Sequence, residues 1–414
     1  MKITGIIAEY NPFHNGHAYQ IEQVKKNGVD YVVVVMSGNF LQRGTPALLD
    51  KWTRTRMALS AGADLVIELP AVFSTASAQY FARGGVSILD KLGCIDTISF
   101  GCESNDMDMI QKLSSFLWKE PDSYKEKLQF YQKEGNSFPK ARELALSSEL
   151  GNKAAAFASS PNNILALEYS IALLERNANM KIFPLQRQGN GYHEGEVKPG
   201  IFPSATAIRK QLEHTDDSDT IHSAMDSLSD YMPKALSLIM KEQAERFLWQ
   251  DDFSLLLKYK LLSHGNQSFH MYADVSEDLS DKIHKNLRYY RNYTQFCELL
   301  KSKELTYSRI NRALTHILLT ITQDMYDDVK ENDYASYARI LGFRKEAKEL
   351  LSEISAHAKI PLISKLADAS GLLAPEAMSY LTHDIFCSHV YESVVAQKLD
   401  TETKNEYQRQ LVIL

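Results

Sequence analysis

The first half of the chain alternates short apolar runs with segments of helical periodicity. The apolar runs are rich in Val, Ile and Leu and have the length of buried strands; they cover residues 3–8, 31–36, 64–69, 97–100 and 181–185. Helical patterns lie between them, near residues 15–27, 50–61, 75–92, 106–118 and 162–176. This alternation predicts an α/β fold in which helices cover both faces of a parallel sheet.

The second half lacks a comparable series of strands. Helical periodicity runs instead through residues 223–247, 252–263, 276–302, 306–324, 334–356, 360–370 and 374–398. Sixteen of the 19 glycines lie in residues 1–200, as expected for a first half rich in turns and ligand loops. The polar stretch 214–220 is the best linker candidate. We therefore predict an α/β domain over residues 1–220 and an α-helical domain over residues 221–414.

Composition narrows the class of protein. The 414 residues correspond to two or three domains, and 44% hydrophobic with 24% charged residues is ordinary globular usage. The four cysteines form no CxxC pair, and the longest apolar run is far too short to cross a membrane. With no secretory signal pattern at the N-terminus, we expect a soluble protein of a reducing cytoplasm. The net charge of −6 requires any nucleic-acid surface to be local.

The most informative stretch follows the first predicted strand, where a proline-containing loop leads into HNGH and a helix. His14 and His17 are three residues apart, so both can project from one side of the helix start. A helix N-terminus binds phosphate through free N–H groups, and two imidazoles can donate to phosphoryl oxygens as charge builds up. Gly16 leaves room for a nucleotide against the backbone. These features favour phosphate chemistry over two surface histidines at a helix cap.

A second candidate motif is FPSATAIRK, at residues 202–210. Ser204 can cap a short helix, with Thr206 and Arg209 in or just after its first turn. Hydroxyls, free N–H groups and a guanidinium at a helix start form a polyphosphate clamp. An ordinary capped helix with a solvated arginine and lysine is the alternative.

Together, HNGH and SATAIRK resemble the HxGH and ISSTxIR signatures of the nucleotidylyltransferase superfamily. The resemblance implies a Rossmann-like sheet, with histidines that contact ATP near its α-phosphate and a second motif that holds the outer phosphates. The implied catalytic residues are His14, His17, Ser204, Thr206 and Arg209.

The segments EYNPFHNGH, MSGNFLQRGTPALLDKWTRTRMALSAGADLVIELP, SFGCES and SPNNILALEY, with SATAIRK, resemble the tRNA(Met) cytidine acetate ligase family. The resemblance implies that ATP and acetate form acetyladenylate, whose acetyl group passes to the wobble cytidine of elongator tRNA(Met). ATP is then a substrate, and Mg²⁺ is expected with it. The alternatives are a nucleotidylyltransferase for a small phosphorylated metabolite and a non-catalytic RNA-associated adaptor.

The same resemblance implies an ATP site by position. It comprises Ile7, Ala8, Glu9, Tyr10, Asn11, Pro12, Phe13, His14, Asn15, Gly16, His17, Ala18, Tyr19, Gln20, Gly101, Asn162 and Arg187. Asn162 could instead be a helix N-cap, and Arg187 a solvated edge arginine. A further polar cluster could hold acetate, phosphate or RNA, or could be a charged helix face; it consists of Gln42, Arg43, Lys51, Arg54 and Arg56.

Residues 281–316 contain eight Lys or Arg against three acidic residues, interleaved with tyrosines. Cations neutralise phosphates and aromatic faces stack on unpaired bases, so this region is the candidate tRNA surface. Its proposed contacts are Lys282, Lys285, Arg288, Arg291, Arg309 and Arg312. A solvated helix with half-buried tyrosines is the alternative. His383, Cys387 and His389 lack a fourth ligand at suitable spacing, so we predict no metal site.

Overall fold

A computed structural model describes residues 1–187, 202–213, 218–402 and 405–414. Within these ranges one mixed sheet forms the centre of the molecule, with strand order β5-β4-β1-β2-β3-β6-β7, and β8 pairs with β6. The strands are β1 (Ile3–Ala8), β2 (Tyr31–Ser37), β3 (Leu65–Leu69), β4 (Thr97–Cys102), β5 (Lys181–Gln186), β6 (Ala338–Phe343), β7 (Leu362–Ile363) and β8 (Val412–Ile413). Strands β1 to β5 are mutually parallel. The predicted α/β fold with a largely helical second half is confirmed.

Helices surround this sheet, and most of those expected in the first half begin and end within a few residues of the predicted positions. They are α1 (Asn15–Lys26), α2 (Lys51–Ser60), α3 (Ala71–Ser74), α4 (Ala78–Lys91), α5 (Met107–Lys119), α6 (Asp122–Lys133), α7 (Phe138–Leu150), α8 (Asn152–Ser159), α9 (Pro161–Arg176), α10 (Ala205–Leu212), α11 (Ser218–Ser227), α12 (Lys234–Glu242), α13 (Ser254–Ser263), α14 (Glu277–Asn286), α15 (Tyr293–Leu300), α16 (Tyr307–Leu319), α17 (Gln323–Glu331), α18 (Lys348–His357), α19 (Ala369–Leu372) and α20 (Pro375–Leu399).

Apolar residues cover both faces of the sheet. In β2, Val33 and Val35 belong to one buried cluster, whereas Val32 and Val34 belong to another on the opposite face. Successive side chains of a strand point to opposite faces, so the unbroken apolar run in β2 fills two cores at once. The first of these clusters also contains residues of α13, α16 and α20, so the second half of the chain packs directly on the sheet.

The second half also contributes strands, which the helical periodicity did not predict. The helix predicted over 334–356 is wrong in its first part, because β6 runs antiparallel to β3 there. A six-residue segment such as ARILGF does not distinguish a strand from a buried helix segment, and pairing with the edge of β3 decides its conformation. Gly342 permits the next pairing, since a Cβ there would lie 2.4 Å from the Val412 carbonyl oxygen. The domain boundary at residue 220 stays a prediction, and most of the expected linker lies outside the described residues.

The strand order places a crevice at the carboxyl end of β1. From β1 the chain proceeds to β2 on one side, whereas β4 and β5 lie on the other. In open α/β sheets, ligands bind where neighbouring strands connect in opposite directions, outside their carboxyl ends. The HNGH motif follows β1 at this point, and Gly101 lies in β4 one residue before the end of that strand.

A buried ionic cluster at β3 and β6 joins the two halves of the chain. The Lys51 ammonium lies 2.7 Å from Glu68 and 3.2 Å from Glu406, and the Arg339 guanidinium contacts both carboxylates. All four side chains are at most 5% exposed. Burial alone would raise the pKa of Glu406, but the charges of Lys51 and Arg339 outweigh it and lower that pKa to about 2. The tail after α20 is therefore anchored to the first half of the chain by charge.

We predict that Glu406→Gln destabilises the protein by about 3–5 kcal/mol, because two buried cations would then share one carboxylate. The loss should appear as a lower urea midpoint at pH 7 by circular dichroism. Glu402→Gln, an exposed change on the same tail, is the matched control and should leave the midpoint unchanged. The wild-type contribution is complete above the ordinary carboxyl pKa of 4.5 and disappears as the pH falls towards 2. Equal midpoints for both variants would contradict this account of the tail.

Candidate active site

The loop after β1 is held in a defined path by buried contacts. Tyr10 has a positive φ of 52°, and the side-chain oxygen of Asn11 accepts a hydrogen bond of 2.7 Å from the Leu48 N–H. The fully buried Arg54 donates to the backbone carbonyls of Glu9 at 2.6 Å and of Leu49 at 2.9 Å. A guanidinium that satisfies backbone carbonyls in this way fixes the loop.

Arg54 and Lys51 are therefore structural residues and line no part of the cavity described below. Each of these two side chains is 0% exposed and forms hydrogen bonds within the protein. The interpretations as ligand contacts and as a solvated charged helix face are therefore both wrong for them. Arg56, by contrast, is exposed at the surface of α2.

The two histidines cap α1 and stack on each other. The Nδ1 atom of His14 accepts from the Gly16 N–H at 3.0 Å, and Nδ1 of His17 accepts from the His14 N–H at 3.3 Å. The ring centroids are 3.8 Å apart. This reciprocal capping resembles a capping box with imidazoles in place of the usual hydroxyl and carboxylate. Capping is thus part of the role of these histidines and leaves one nitrogen of each ring for other partners.

Both imidazoles are neutral at pH 7. Burial, reinforced by the charges of Arg187 and Arg209, lowers the pKa of His14 to about 3. Burial, with His14 next, also holds the pKa of His17 well below its ordinary value. Since each Nδ1 accepts a backbone hydrogen bond, the proton of each neutral ring is on Nε2. The pair therefore provides two neutral N–H donors.

The second motif lies directly against the first. Ser204 is the N-cap of α10 and accepts from the Ala207 N–H at 3.1 Å. The Arg209 guanidinium donates to the backbone carbonyl of Asn11 and, at 3.2 Å, to the Thr206 hydroxyl. Arg209 is therefore no solvated helix arginine, whereas the adjacent Lys210 is exposed. These contacts join segments of chain that are nearly two hundred residues apart.

A cavity of about 430 Å³ opens between the two motifs. All five predicted catalytic residues line it, namely His14, His17, Ser204, Thr206 and Arg209. Of the predicted ATP contacts it is lined by Ile7, Ala8, Glu9, Tyr10, Asn11, His14, Gly16, His17, Tyr19, Gln20, Gly101, Asn162 and Arg187. Gln42 and Arg43 of the further polar cluster line it as well.

Four predicted ATP contacts lie outside this lining, namely Pro12, Phe13, Asn15 and Ala18. Phe13 is 0% exposed in an apolar cluster, and the Asn15 amide donates to the Asp230 carbonyl at 2.8 Å. Their part in ATP binding stays a prediction, and these contacts give two of them a structural role.

The opposite wall comes from β4, β5 and the start of α9. Glu103 accepts hydrogen bonds from the backbone N–H and side-chain amide of Asn162, at 3.2 and 2.8 Å. The side-chain oxygen of Asn162 lies 3.4 Å from the Arg187 guanidinium. Because α9 begins at Pro161, Asn162 lies in its first turn and the N-cap interpretation is wrong. Gly101 adds no side chain to this wall, and a Cβ there would lie 3.4 Å from Cγ of Arg187.

The sequence did not single out the apolar part of the lining or the contribution of α16. Phe81, Phe100 and Tyr169 line one side, and Ser308 lies near the start of α16. Apolar residues on α4 and α9 resemble ordinary core positions, so no sequence signal marks them. Arg312 also lines the cavity, although it was predicted as an RNA contact.

The predicted tRNA surface is only partly available to a ligand. The Lys282 ammonium donates to the backbone carbonyls of Leu300 and Lys301, so it caps the end of α15. Lys285 and Arg291 are exposed, and the Arg288 guanidinium stacks on Tyr289 with 4.6 Å to the ring centre. Arg309 is half-buried on α16. Since α14 ends at Asn286, Arg288 lies beyond the helix that was expected to carry it.

The described ranges contain neither a candidate metal centre nor a helix that could span a membrane. No group of three or more His, Cys, Asp or Glu side chains there could hold a metal ion. Cys387 instead lies 3.8 Å from Nδ1 of His383, whose Nε2 contacts the Leu319 carbonyl at 2.7 Å. No described helix is long and apolar enough to cross a membrane.

Comparison with known proteins gives consistent matches over the whole chain. A family model described as HIGH Nucleotidyl Transferase matches residues 1–407. The tRNA(Met) cytidine acetate ligase of Thermoanaerobacter sp. (strain X514) is 40% identical over 94% of this chain and 95% of its own. That of Acetivibrio thermocellus is 36% identical over the full length of both chains.

Solved structures give the same result. Thermotoga maritima TmcAL in its apo form matches with a TM-score of 0.90 and 29% identity, over 100% of both chains. The same protein bound with alpha-thio ATP matches with a TM-score of 0.89 and 28% identity. With the paired histidines, the SATAIRK helix and the cavity between them, these matches show that the chain belongs to the HIGH nucleotidyl transferase family and, within it, to the tRNA(Met) cytidine acetate ligases.

Proposed function

We propose that this protein activates acetate with ATP as acetyladenylate and transfers the acetyl group to the wobble cytidine of elongator tRNA(Met), which forms N4-acetylcytidine. The observation that carries the proposal is the single cavity lined by both phosphate-binding motifs. Its volume lies in the range of small-molecule sites. The names of the relatives, the tRNA(Met) cytidine acetate ligases, support the choice of substrates.

In the first step, an acetate oxygen attacks the α-phosphorus of ATP, the bond to the bridging oxygen of the β-phosphate breaks, and pyrophosphate leaves. The two Nε2–H groups of His14 and His17 donate to the α-phosphate oxygens as negative charge builds up there. The N-terminal ends of α1 and α10 add the positive ends of two helix dipoles. Thr206 and Arg209 hold the outer phosphates, which fixes the line of attack.

Neutral imidazoles suit this step. A cationic pair stacked at 3.8 Å would repel itself, and burial would make each charge costly. A neutral donor avoids that cost and still strengthens its hydrogen bond as the oxygen becomes more negative. Arg209 supplies the permanent positive charge at the phosphate site.

We treat Mg²⁺ as part of the substrate MgATP. Among the described residues that line the cavity, Glu9 is the single carboxylate. It already accepts a hydrogen bond of 2.8 Å from the backbone N–H of Gln42. The phosphates and water would therefore supply most ligands of the ion, as Mg²⁺ ordinarily prefers in nucleotide sites.

In the second step, the exocyclic amine of the cytidine attacks the acetyl carbonyl of the adenylate. The C–O bond to AMP breaks, the nitrogen loses a proton, and AMP leaves with the bonding electrons. The reaction thus needs the RNA base inside the same cavity in which the adenylate forms.

A purified sample with ATP, acetate, Mg²⁺ and tRNA tests the proposal as a whole. We expect acetate-dependent exchange of labelled pyrophosphate into ATP, and labelled acetate in the elongator tRNA(Met) fraction. Pyrophosphate release with a phosphorylated metabolite, and none with acetate, would replace the proposal with the metabolite nucleotidylyltransferase.

We predict that His17→Ala lowers acetate-dependent pyrophosphate exchange about 100- to 1,000-fold, because one donor to the developing charge is lost. Binding of tRNA, measured by filter retention, should change by less than about threefold, since the tRNA surface lies on other elements. His17→Glu keeps a capping-box acceptor at the same helix position but has no N–H donor, so it should lose exchange with a melting temperature near that of wild type. His357→Ala, an exposed histidine on α18, is the control. Wild-type exchange by either His17 variant would refute the catalytic assignment and favour a non-catalytic adaptor.

We also predict that His14→Asn makes the protein less sensitive to acid. Asparagine is a good N-cap and does not titrate, so the cap remains while the buried imidazole is removed. The folded pKa of His14 is about 3 against 6.5 for a free imidazole. The unfolded chain therefore binds more protons between these pH values, and wild-type stability falls as the pH drops through that window.

Urea midpoints at pH 7.5 and 4.5 measure this effect. We expect the drop between the two pH values to be smaller for His14→Asn than for wild type. His270→Asn, at an exposed histidine, should show the wild-type drop. Equal drops for His14→Asn and wild type would mean that the imidazole is not buried in its neutral form.

A further inference from the structure

The cavity of the first half receives one wall from the second half of the chain. Ser308 and Arg312, both on α16, line the same cavity as His14 and His17. The nucleotide and the RNA-binding half of the molecule therefore meet inside one site.

Helix α16 is fixed to the cavity by close backbone contacts. The Asn311 amide donates to the Arg43 carbonyl at 2.7 Å, and the Thr315 hydroxyl donates to the Gly44 carbonyl at 2.6 Å. Gly44 has a φ of +70°, and a Cβ there would lie 2.6 Å from the backbone nitrogen of Arg312. The loop that carries Arg43 into the cavity and the helix that carries Arg312 are thus one packed unit.

The guanidinium of Arg312 is held at one edge and has unused donors at the other. Its Nε donates to the Asp274 carboxylate at 2.8 Å, and its side chain is 17% exposed. Burial alone would raise the pKa of Asp274, but the charge of Arg312 outweighs it and holds that pKa below its usual value. Within the described ranges, neither terminal nitrogen of Arg312 has a hydrogen-bond partner. Such a fork is ready to bind a phosphate or carboxylate.

Four arginines line the cavity, namely Arg43, Arg187, Arg209 and Arg312. Arg187 and Arg209 are close enough to His14 to lower its pKa. Arg43 acts in turn on the pKa of Arg209, and its carbonyl contacts the residue before Arg312. Arg312 reaches this group of arginines from α16, a helix that carries neither of the two nucleotide motifs.

Helix α16 also carries a second cation of the predicted RNA surface. Arg309 is one helical turn before Arg312 on α16, so both can lie on one side of the helix. Lys301 and Lys303, just before α16, are exposed. An RNA whose base reaches the acetyladenylate must leave its own phosphates at the cavity mouth, because the sugar-phosphate backbone flanks the inserted base.

We propose that Arg312 binds a phosphate of the RNA next to the cytidine that accepts the acetyl group, and that Asp274 is a positioning residue which aims the guanidinium into the cavity. This inference rests on the proposed function. Arg312 then takes part in acetyl transfer and has no part in adenylation.

The two half-reactions separate this role from ATP binding. For Arg312→Ala we expect acetate-dependent pyrophosphate exchange within about twofold of wild type. Acetyl transfer from preformed acetyladenylate to tRNA should fall about 10- to 100-fold, the range for loss of a charged hydrogen bond. The slope of log affinity for tRNA against log salt should become shallower by about 0.7 to 1. Arg312→Lys keeps the charge and should restore the salt slope.

Asp274→Asn tests the positioning role. The arginine keeps its charge, so tRNA affinity should stay within about threefold of wild type while the rate of transfer at saturating tRNA falls. Lys153→Ala, an exposed lysine on α8, is the control and should match wild type in both half-reactions.

The outcomes are distinguishable from failure of the proposed function. No pyrophosphate exchange by the wild-type protein would refute the proposed function itself. If the wild-type protein catalyses exchange and Arg312→Ala loses exchange and transfer to the same extent, Arg312 belongs to the ATP site and the inference is overturned. Unchanged transfer and salt slope in Arg312→Ala would overturn it as well.

Discussion

The contact of Arg209 with the Asn11 carbonyl is the interaction on which the site depends. It brings the SATAIRK helix, far along the chain, against the loop that follows the first strand. The two helix N-termini and the two histidines are held together by this contact and by Ile208 and Leu212, which pack in one apolar cluster with Tyr10 and Phe13. Together they surround one cavity whose donors point at the same ligand, and preorganised donors of this kind are what phosphoryl transfer requires. The buried Arg54 stabilises the same loop, since its guanidinium donates a hydrogen bond to the Glu9 carbonyl.

Much of this arrangement could be predicted from the sequence, because it depends on local patterns. The apolar run in β2 contains four consecutive valines, which favour a strand, and HNGH lies between a strand and a helix as a nucleotide site requires. Strand β6 was missed because its six residues read equally well as part of a helix. Its conformation is decided by the edge of β3, a partner that is remote in sequence.

The sequence also did not show which charged side chains are buried. Lys51 and Arg54 have the spacing of a solvated helix face, yet both are buried, because Glu406 and the Glu9 carbonyl reach them from distant parts of the sequence. Lys282 is likewise committed to the end of α15. Burial of a charge depends on the partner that compensates it, and periodicity does not reveal that partner. Arg312 shows the converse, since a residue selected for RNA binding also lines the nucleotide cavity.

A crystal structure with a nonhydrolysable ATP analogue, α,β-methylene-ATP, tests the central claim most directly. The account predicts the nucleotide in the cavity between the two motifs, with α-phosphate oxygens in hydrogen-bond contact with Nε2 of His14 and His17. The outer phosphates should lie beside Thr206 and Arg209. A nucleotide bound elsewhere, or one whose α-phosphate lies away from both imidazoles, would contradict it.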